Sequence, residues 1–406
     1  MTSTKFIQNK TALITLIAAC LVVLISLGVR QTFGLFFFDF KNDLDISLTE
    51  SGLAVGLQML MWGLSGPIFG AIADKYGGHK AIMLAFIFYI LGIYFLYSGP
   101  NTGIFFQIDM GLLVGIGLGG TAISIPMSIV GKHFPLSNRT IAMSLVTAVG
   151  SFGYFISPMY TSYSLINNGW IHTLYIFTIF LVIGLVIAFF VRSPSLSESI
   201  EKPSDQNTMS ALKEAFKTKS YVLLTAGFFV CGFHITLVGT HVPTYVIDRG
   251  LETWTAAAIL SLIGLFNIFG SLFSGYLSTK MKKKVILAAI YALRGISICL
   301  FIFLPASNIN AFIFGASFGF LWLSTVPATS GIVAQMFGTK HLGMLYGIVF
   351  LSHQIGSFFG SFLGGLFHDI YGSYDYAWYL AIALSIFAAI IHVPIKEEPV
   401  LRLKTE

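Results

Sequence analysis

Apolar runs of roughly twenty residues recur from one end of this chain to the other, and that recurrence limits the fold more than any other feature. The runs lie at 11–38, 50–73, 79–99, 104–131, 139–166, 171–192, 221–247, 254–278, 285–305, 310–336, 342–368 and 375–395. A helix needs about 20 residues to cross a hydrocarbon layer about 30 Å thick. Lipid offers the backbone no hydrogen-bond partner, so such runs cross as helices that satisfy themselves. Composition agrees: 56% of the 406 residues are hydrophobic and 10% charged, where a soluble domain carries about 25% charged residues. The chain therefore reads as an all-α polytopic membrane protein with twelve transmembrane helices. The first run is too long, and lacks a cleavage-like end, to be a removable signal peptide. Cys20, Cys231 and Cys299 all fall inside runs, as buried small apolar residues and not as a disulfide or metal set.

The net charge of +6 follows from topology. With the amino terminus in the cytoplasm, all Lys and Arg but four fall on the cytoplasmic side. Lys41 and Arg249 are outside, and Arg30 and Arg294 lie within runs. This asymmetry predicts a multi-pass protein of the cytoplasmic (inner) membrane with both termini cytoplasmic. Lys280 and Lys282 to Lys284 then form a cytoplasmic loop and not a nucleic-acid patch. Residues 193–220 are the longest polar stretch, with an amphipathic helix expected from Ser210 to Lys219. They read as a cytoplasmic linker between bundles at 1–192 and 221–406.

The two bundles are repeats offset by about 205 positions. Gly28, Arg30 and Thr32 recur in spacing as Gly232, His234 and Thr236. Gly70-x3-Asp74-Lys75 recurs as Gly275-x3-Thr279-Lys280, Gly150-Ser151-Phe152 as Gly356-Ser357-Phe358, and Trp170 as Trp378. Duplicated halves of this kind pack about an axis along the membrane normal, with a binding site expected between them near the midplane.

Gly70-Ala-Ile-Ala-Asp74-Lys75-Tyr76-Gly77-Gly78-His79-Lys80, between runs two and three, resembles the signature loop of the major facilitator superfamily. The resemblance implies the major facilitator fold: 12 transmembrane helices in two pseudo-symmetric six-helix bundles. Within the loop, Gly70 is expected to let span two approach a neighbour closely. Asp74 is expected to cap a helix or pair with a cation, holding one access state closed, and Lys75 and Lys80 to anchor the cytoplasmic face. Arg30-Gln-Thr-Phe-Gly-Leu-Phe-Phe, Trp322-Leu-Ser-Thr-Val-Pro327 and Phe350-Leu-Ser-His353-Gln354-Ile-Gly356-Ser357 resemble the monocarboxylate transporter and oxalate/formate antiporter branch. That implies a small organic anion as substrate, a monocarboxylate such as lactate or pyruvate. Two departures stand out. Asn267 and Ser271 occupy the positions where animal members carry an Asp and an Arg, and the second signature loop has Thr279 for its Asp.

Ionisable groups inside a membrane are candidate functional groups, because a charge there costs about 2.5–3.5 kcal/mol or more. Arg30 is the first, as a holder of the anion or as the partner of Asp109. Asp109 is a candidate for proton coupling, since its protonation would free Arg30. His234, the repeat mate of Arg30, is a candidate for both anion binding and proton coupling, because imidazole titrates near neutrality. His353 on span eleven, Arg294 on span nine and Asn267 on span eight complete a candidate basic pocket. For Arg294 the alternative is bonding to helix-end carbonyls or to Asn267. For His234 and His353 it is a hydrogen-bonded core histidine, a reading that His241 favours more strongly. Gln58, Thr147, Tyr154, Ser324 and Thr325 read as packing groups. There is no phosphate-binding Gly-Lys motif, His-x3-His cluster or Gly-x-Ser-x-Gly, so no cofactor, metal or enzyme activity is expected. The expected function is secondary active transport of a small organic anion by alternating access, as symport with protons or antiport against a counter-anion, by a monomer in the lipid bilayer. An efflux carrier for lipophilic or cationic compounds on the same fold is the alternative. It predicts acidic cavity walls, and Asp109 is the one deep acid.

Overall fold

The computed structural model describes residues 10–100, 102–134, 136–192, 208–338 and 341–400, and every regular element among them is a helix. The chain divides into two compact units, 1–200 and 201–406. The division falls inside the stretch expected as a linker, of which residues 193–207 lie outside the described residues.

In the first unit, α1 (Lys10–Gln31) leads through one 3-10 turn (Phe33–Phe36) into α2 (Phe37–Leu44). There follow α3 (Leu48–Tyr76), α4 (Gly78–Ser98), α5 (Gly103–Phe106), α6 (Val114–Thr121), α7 (Ser124–His133) and α8 (Leu136–Ala188). A π-helix, Gln107–Leu113, joins α5 to α6. Local chemistry sets several boundaries. Ser47 Oγ accepts from the Glu50 amide at 3.1 Å while Glu50 Oε2 accepts from the Ser47 amide at 2.9 Å, a reciprocal cap that starts α3. Gly169, at φ 77° and ψ 172°, breaks α8 into the fifth and sixth spans, in a conformation that favours glycine.

The second unit holds α9 (Thr208–Lys217), α10 (Lys219–Asp248), α11 (Thr253–Leu277), α12 (Lys283–Phe303), α13 (Asn308–Leu321), α14 (Thr325–Phe337), α15 (Leu342–Tyr371) and α16 (Asp375–His392). The helix expected at Ser210–Lys219 is α9, with Ala211 and Ala215 buried and Met209 and Phe216 exposed. Among the described residues, eleven helical stretches are long and apolar enough to cross a membrane. One of them, 141–188, is two spans joined across Gly169, which makes twelve. Exposed Ile68, Leu272 and Phe303 suit a surface facing lipid.

Two helix pairs illustrate the close packing. In the first unit α1 lies on α8, where a Cβ on Gly153 would run into the Leu24 carbonyl. In the second unit α10 lies on α15. There, Cβ atoms on Gly232 and Gly356 would overlap the carbonyls of His353 and Phe229. Small residues let the backbones meet, as in membrane helix pairs generally.

Three expected spans are not continuous helices. Span one stops at Gln31 and turns through Phe33–Phe36. Span four breaks between Thr121 and Ser124, and span ten between Leu321 and Thr325. The last two breaks stand just before Pro126 and Pro327. Proline lacks the N–H that would continue the ladder, so the preceding carbonyls need other donors. Hydropathy cannot register this, because the broken residues are as apolar as their neighbours.

Candidate functional site

Arg30 occupies the last turn of α1, directly before the break in span one. There its charge faces the negative end of the helix dipole. The residue is 9% exposed. Its Nη2 lies 3.3 Å from Met59 Sδ and its guanidinium carbon 5.9 Å from the centre of the Trp62 ring. The phenols of Tyr89 and Tyr154 lie beside it. Among the described residues it makes no ion pair. A thioether is a weak acceptor and a ring face a modest one; the Tyr154 phenol, hydrogen-bonded to Arg30, is neutral, so no carboxylate balances the charge among the described residues.

The expected pairing of Arg30 with Asp109 is absent. Asp109 lies in the π-helix, 6% exposed, and among the described residues no ion pair or hydrogen bond engages its carboxylate. The guanidinium is turned toward spans two, three and five, away from that acid. Single π-turns recur at functional sites. Here one carries a buried acid within a span.

Sequence reasoning passed over Gln31. Its side chain is 2% exposed, yet neither Oε1 nor Nε2 has a partner. Buried side-chain amides are nearly always bonded, so this one, adjacent to Arg30, has both a donor and an acceptor to offer a ligand. The neighbouring break in span one was the missing signal.

The second unit gathers most of the remaining candidates around one thiol. Cys231 Sγ, on α10, is 3.2 Å from Thr325 Oγ1 on α14, with His353 of α15 and Tyr291 and Arg294 of α12 around it. His353 stacks on Phe350 with ring centres 5.6 Å apart, and its Nδ1 meets Gln354 Oε1 at 3.1 Å. Cys231 was expected as an inert apolar residue; its polar surroundings come from three other helices.

Four polar residues of the second unit are engaged inside it. His234 Nε2 bonds the Ala381 carbonyl at 2.8 Å and leaves only Nδ1 unpartnered, the arrangement of a core histidine. His241 Nε2 likewise bonds the Ser361 carbonyl at 2.6 Å. Arg294 is 0% exposed. It donates through Nε and Nη2 to the Leu321 carbonyl, at 3.2 and 2.7 Å, and through Nη2 to the Trp322 carbonyl. The helix-end alternative therefore describes Arg294 in this structure. Asn267 Oδ1 accepts from the Leu323 amide at 3.0 Å and from Ser271 Oγ at 3.2 Å, so it too serves the break in span ten.

In the signature loop, Asp74 pairs with Lys132 at the end of span four, at 2.6 Å. Lys75 lies over the Tyr76 ring. The expected tight contact at Gly70 is corrected: a Cβ there would meet only Ile125 Cδ1, at 3.7 Å. Close approach to span two comes instead from span four, where a Cβ on Gly115 would fall 2.6 Å from the Gln58 carbonyl oxygen. Thr279, where the repeat lacks its acid, bonds its own helix at the Tyr276 carbonyl. An acid from elsewhere serves that end. Glu397 Oε1 accepts from the Lys284 amide at 2.7 Å, Glu397 Oε2 lies 3.9 Å from Lys283 Nζ, and the Glu397 carbonyl accepts from Gln335 Nε2 at 2.6 Å.

The family model for the Major Facilitator Superfamily matches residues 19–325. The chain belongs to that superfamily. The superfamily fold is also the closest description of the architecture above. A bacterial homologue of the human lysosomal transporter Spinster, solved inward-facing and unoccupied, superposes with a TM-score of 0.77 at 15% identity, over 95% of this chain and 97% of that one. Monocarboxylate transporter 13 of Rattus norvegicus is 23% identical, over 87% of this chain and 82% of its own length. The oxalate:formate antiporter of Oxalobacter formigenes is also 23% identical, over 88% and 85%. Relatives of this superfamily member thus include monocarboxylate transporters and an anion exchanger, as the resemblance implied.

Proposed function

We propose that this chain is a secondary active transporter of a small organic anion, a monocarboxylate such as lactate or pyruvate, working by alternating access in the cytoplasmic membrane with both termini cytoplasmic. The observation that carries the reading is Arg30: a buried guanidinium at a helix break with no carboxylate partner among the described residues. A buried unpaired charge is costly, and an anionic ligand with two oxygens matches the guanidinium fork. Gln31 beside it offers a donor and an acceptor for a neighbouring keto or hydroxyl group. Relatives named for monocarboxylates and for oxalate and formate support the same class. Asp109 is the proton-coupling group, because an acid without an internal donor exchanges its proton without first breaking a bond.

The test is uptake of labelled lactate, pyruvate and oxalate into proteoliposomes, with and without an inward proton gradient or internal anion. Wild type accumulates at least one of them. Arg30→Met lowers uptake at least tenfold, corresponding to about 1.4 kcal/mol of lost anion stabilisation. Asp109→Asn abolishes gradient-driven accumulation while leaving anion exchange intact. Undiminished uptake by Arg30→Met overturns the site, and absence of uptake of any carboxylate by wild type overturns the substrate class.

A further inference from the structure

Span ten is broken, and the backbone groups at the break can be followed one by one. The Gly319 carbonyl accepts from the Trp322 amide and the Leu323 carbonyl from the Val326 amide. Ser324 Oγ donates to the Phe320 carbonyl, and Ser274 Oγ of span eight to the Ser324 carbonyl, each at 2.5 Å. The Leu323 amide donates to Asn267 Oδ1. Two carbonyls remain, Leu321 and Trp322, and both are taken by Arg294 of span nine. Its guanidinium is also sandwiched between the Tyr291 and Phe318 rings, 5.4 and 5.8 Å from their centres.

We infer that Arg294 is a positioning residue and not an anion ligand: it caps the C-terminus of α13, and so holds the N-terminus of α14, with Thr325, against Cys231 of α10 and the His353 face of α15. The charge is matched by the negative end of α13, which removes the need for a counter-anion. Unsatisfied carbonyls are tolerated poorly inside a membrane. Without the guanidinium, the segment 321–325 has to find other donors, and Thr325 shifts from Cys231. Among the described residues no other side chain supplies a donor at those two oxygens. In the first unit the residue about 205 positions earlier is Tyr89, whose hydroxyl bonds the Ser26 carbonyl at 3.1 Å, so the charged cap is particular to span ten. The kinetic arm of the test below rests on the transport reading; the exchange arm does not.

The experiment compares wild type, Arg294→Gln and Arg294→Met, full-length and purified, by hydrogen–deuterium exchange of peptides covering 318–330 without substrate, and by pyruvate uptake in proteoliposomes. Glutamine keeps a donor group for the carbonyls and loses the charge; methionine loses both. A cap predicts that Arg294→Met speeds exchange across 318–330 about tenfold and Arg294→Gln less than threefold. It also predicts that Arg294→Gln keeps KM within about threefold while its Vmax falls. If Arg294→Met does not fold, Arg294→Gln alone decides through the same two readouts. Unchanged exchange together with a KM raised tenfold or more in Arg294→Gln overturns the assignment and makes Arg294 an anion ligand. If wild type moves no carboxylate, the transport reading fails, while accelerated exchange in the variants still supports the cap and unaltered exchange refutes it.

Discussion

Replacing Gln31 by methionine is expected to stabilise the resting protein and weaken its grip on substrate. The side chain is 2% exposed, and neither polar atom is bonded. A buried polar group left unsatisfied costs about 1–3 kcal/mol, whereas an apolar group of the same shape avoids that cost. Methionine matches glutamine in length and adapts to irregular space. A gain of about 1–3 kcal/mol for the unliganded protein follows. The ligand acts in the opposite sense. A ligand at a hundred times its Kd stabilises by about 2.7 kcal/mol. If the amide contributes one hydrogen bond to the bound anion, losing it raises Kd about tenfold and shrinks that increment by about 1.4 kcal/mol. The assay is thermal unfolding of the purified protein with and without pyruvate, read beside the KM for uptake. Gln31→Met should unfold at a higher temperature than wild type without ligand and gain less from pyruvate. A lower unfolding temperature without ligand would refute the reasoning, because it would mean that the amide is bonded in the resting state.

Two further substitutions test the framework. Gly232→Ala would drive a Cβ into the His353 carbonyl of α15; overpacking of this kind costs about 1–3 kcal/mol or more, so the unfolding temperature should fall clearly, whereas Gly275→Ala, with nothing within 4 Å, should leave it unchanged. Glu397→Gln weakens the contacts to Lys283 and Lys284, and limited trypsin digestion should cut after Lys396 several times faster, with a change in stability of about 1 kcal/mol or less.

The twelve spans were legible in the sequence because lipid imposes a length and a composition that few other environments impose. Their ends agree with the helices to within a few residues, as 221–247 against Lys219–Asp248 and 342–368 against Leu342–Tyr371 show. The breaks were not legible, since Thr32, Ala122 and Leu323 sit in stretches as apolar as their surroundings. Pro126 and Pro327, at matching places in the two repeats, were the available clue. The site was legible in part. Arg30 stood out because arginine is costly in a membrane. The partners of Arg294 are main-chain carbonyls, which composition cannot mark. Gln31 is distinctive only through partners it lacks, and Glu397 acts on span nine from more than a hundred residues away. The loss of the acid at Thr279 was visible in the sequence; its replacement required the fold.

The two units carry matching sequence motifs about 205 positions apart, but they dispose of charge differently. In the first, the cation sits on span one at a break, with a thioether, a ring face and two phenols around it, and beside it an amide with no bonds. In the second, the position matching Arg30 holds His234, whose ring is fixed on the Ala381 carbonyl. The cation there sits on span nine, with Nε and Nη2 committed to span ten and Nη1 without a partner among the described residues. An anion taking Nε and Nη2 of the second unit's arginine must displace backbone carbonyls that have no other donor among the described residues. An anion approaching Arg30 meets a methionine sulfur and a neutral phenol. The second exchange costs far less, because a thioether loses little when its weak bond is broken. On the proposed reading the two halves differ in role: recognition of charge is assigned to span one and its neighbours, and the arginine of the second half to the shape of the helix that it caps.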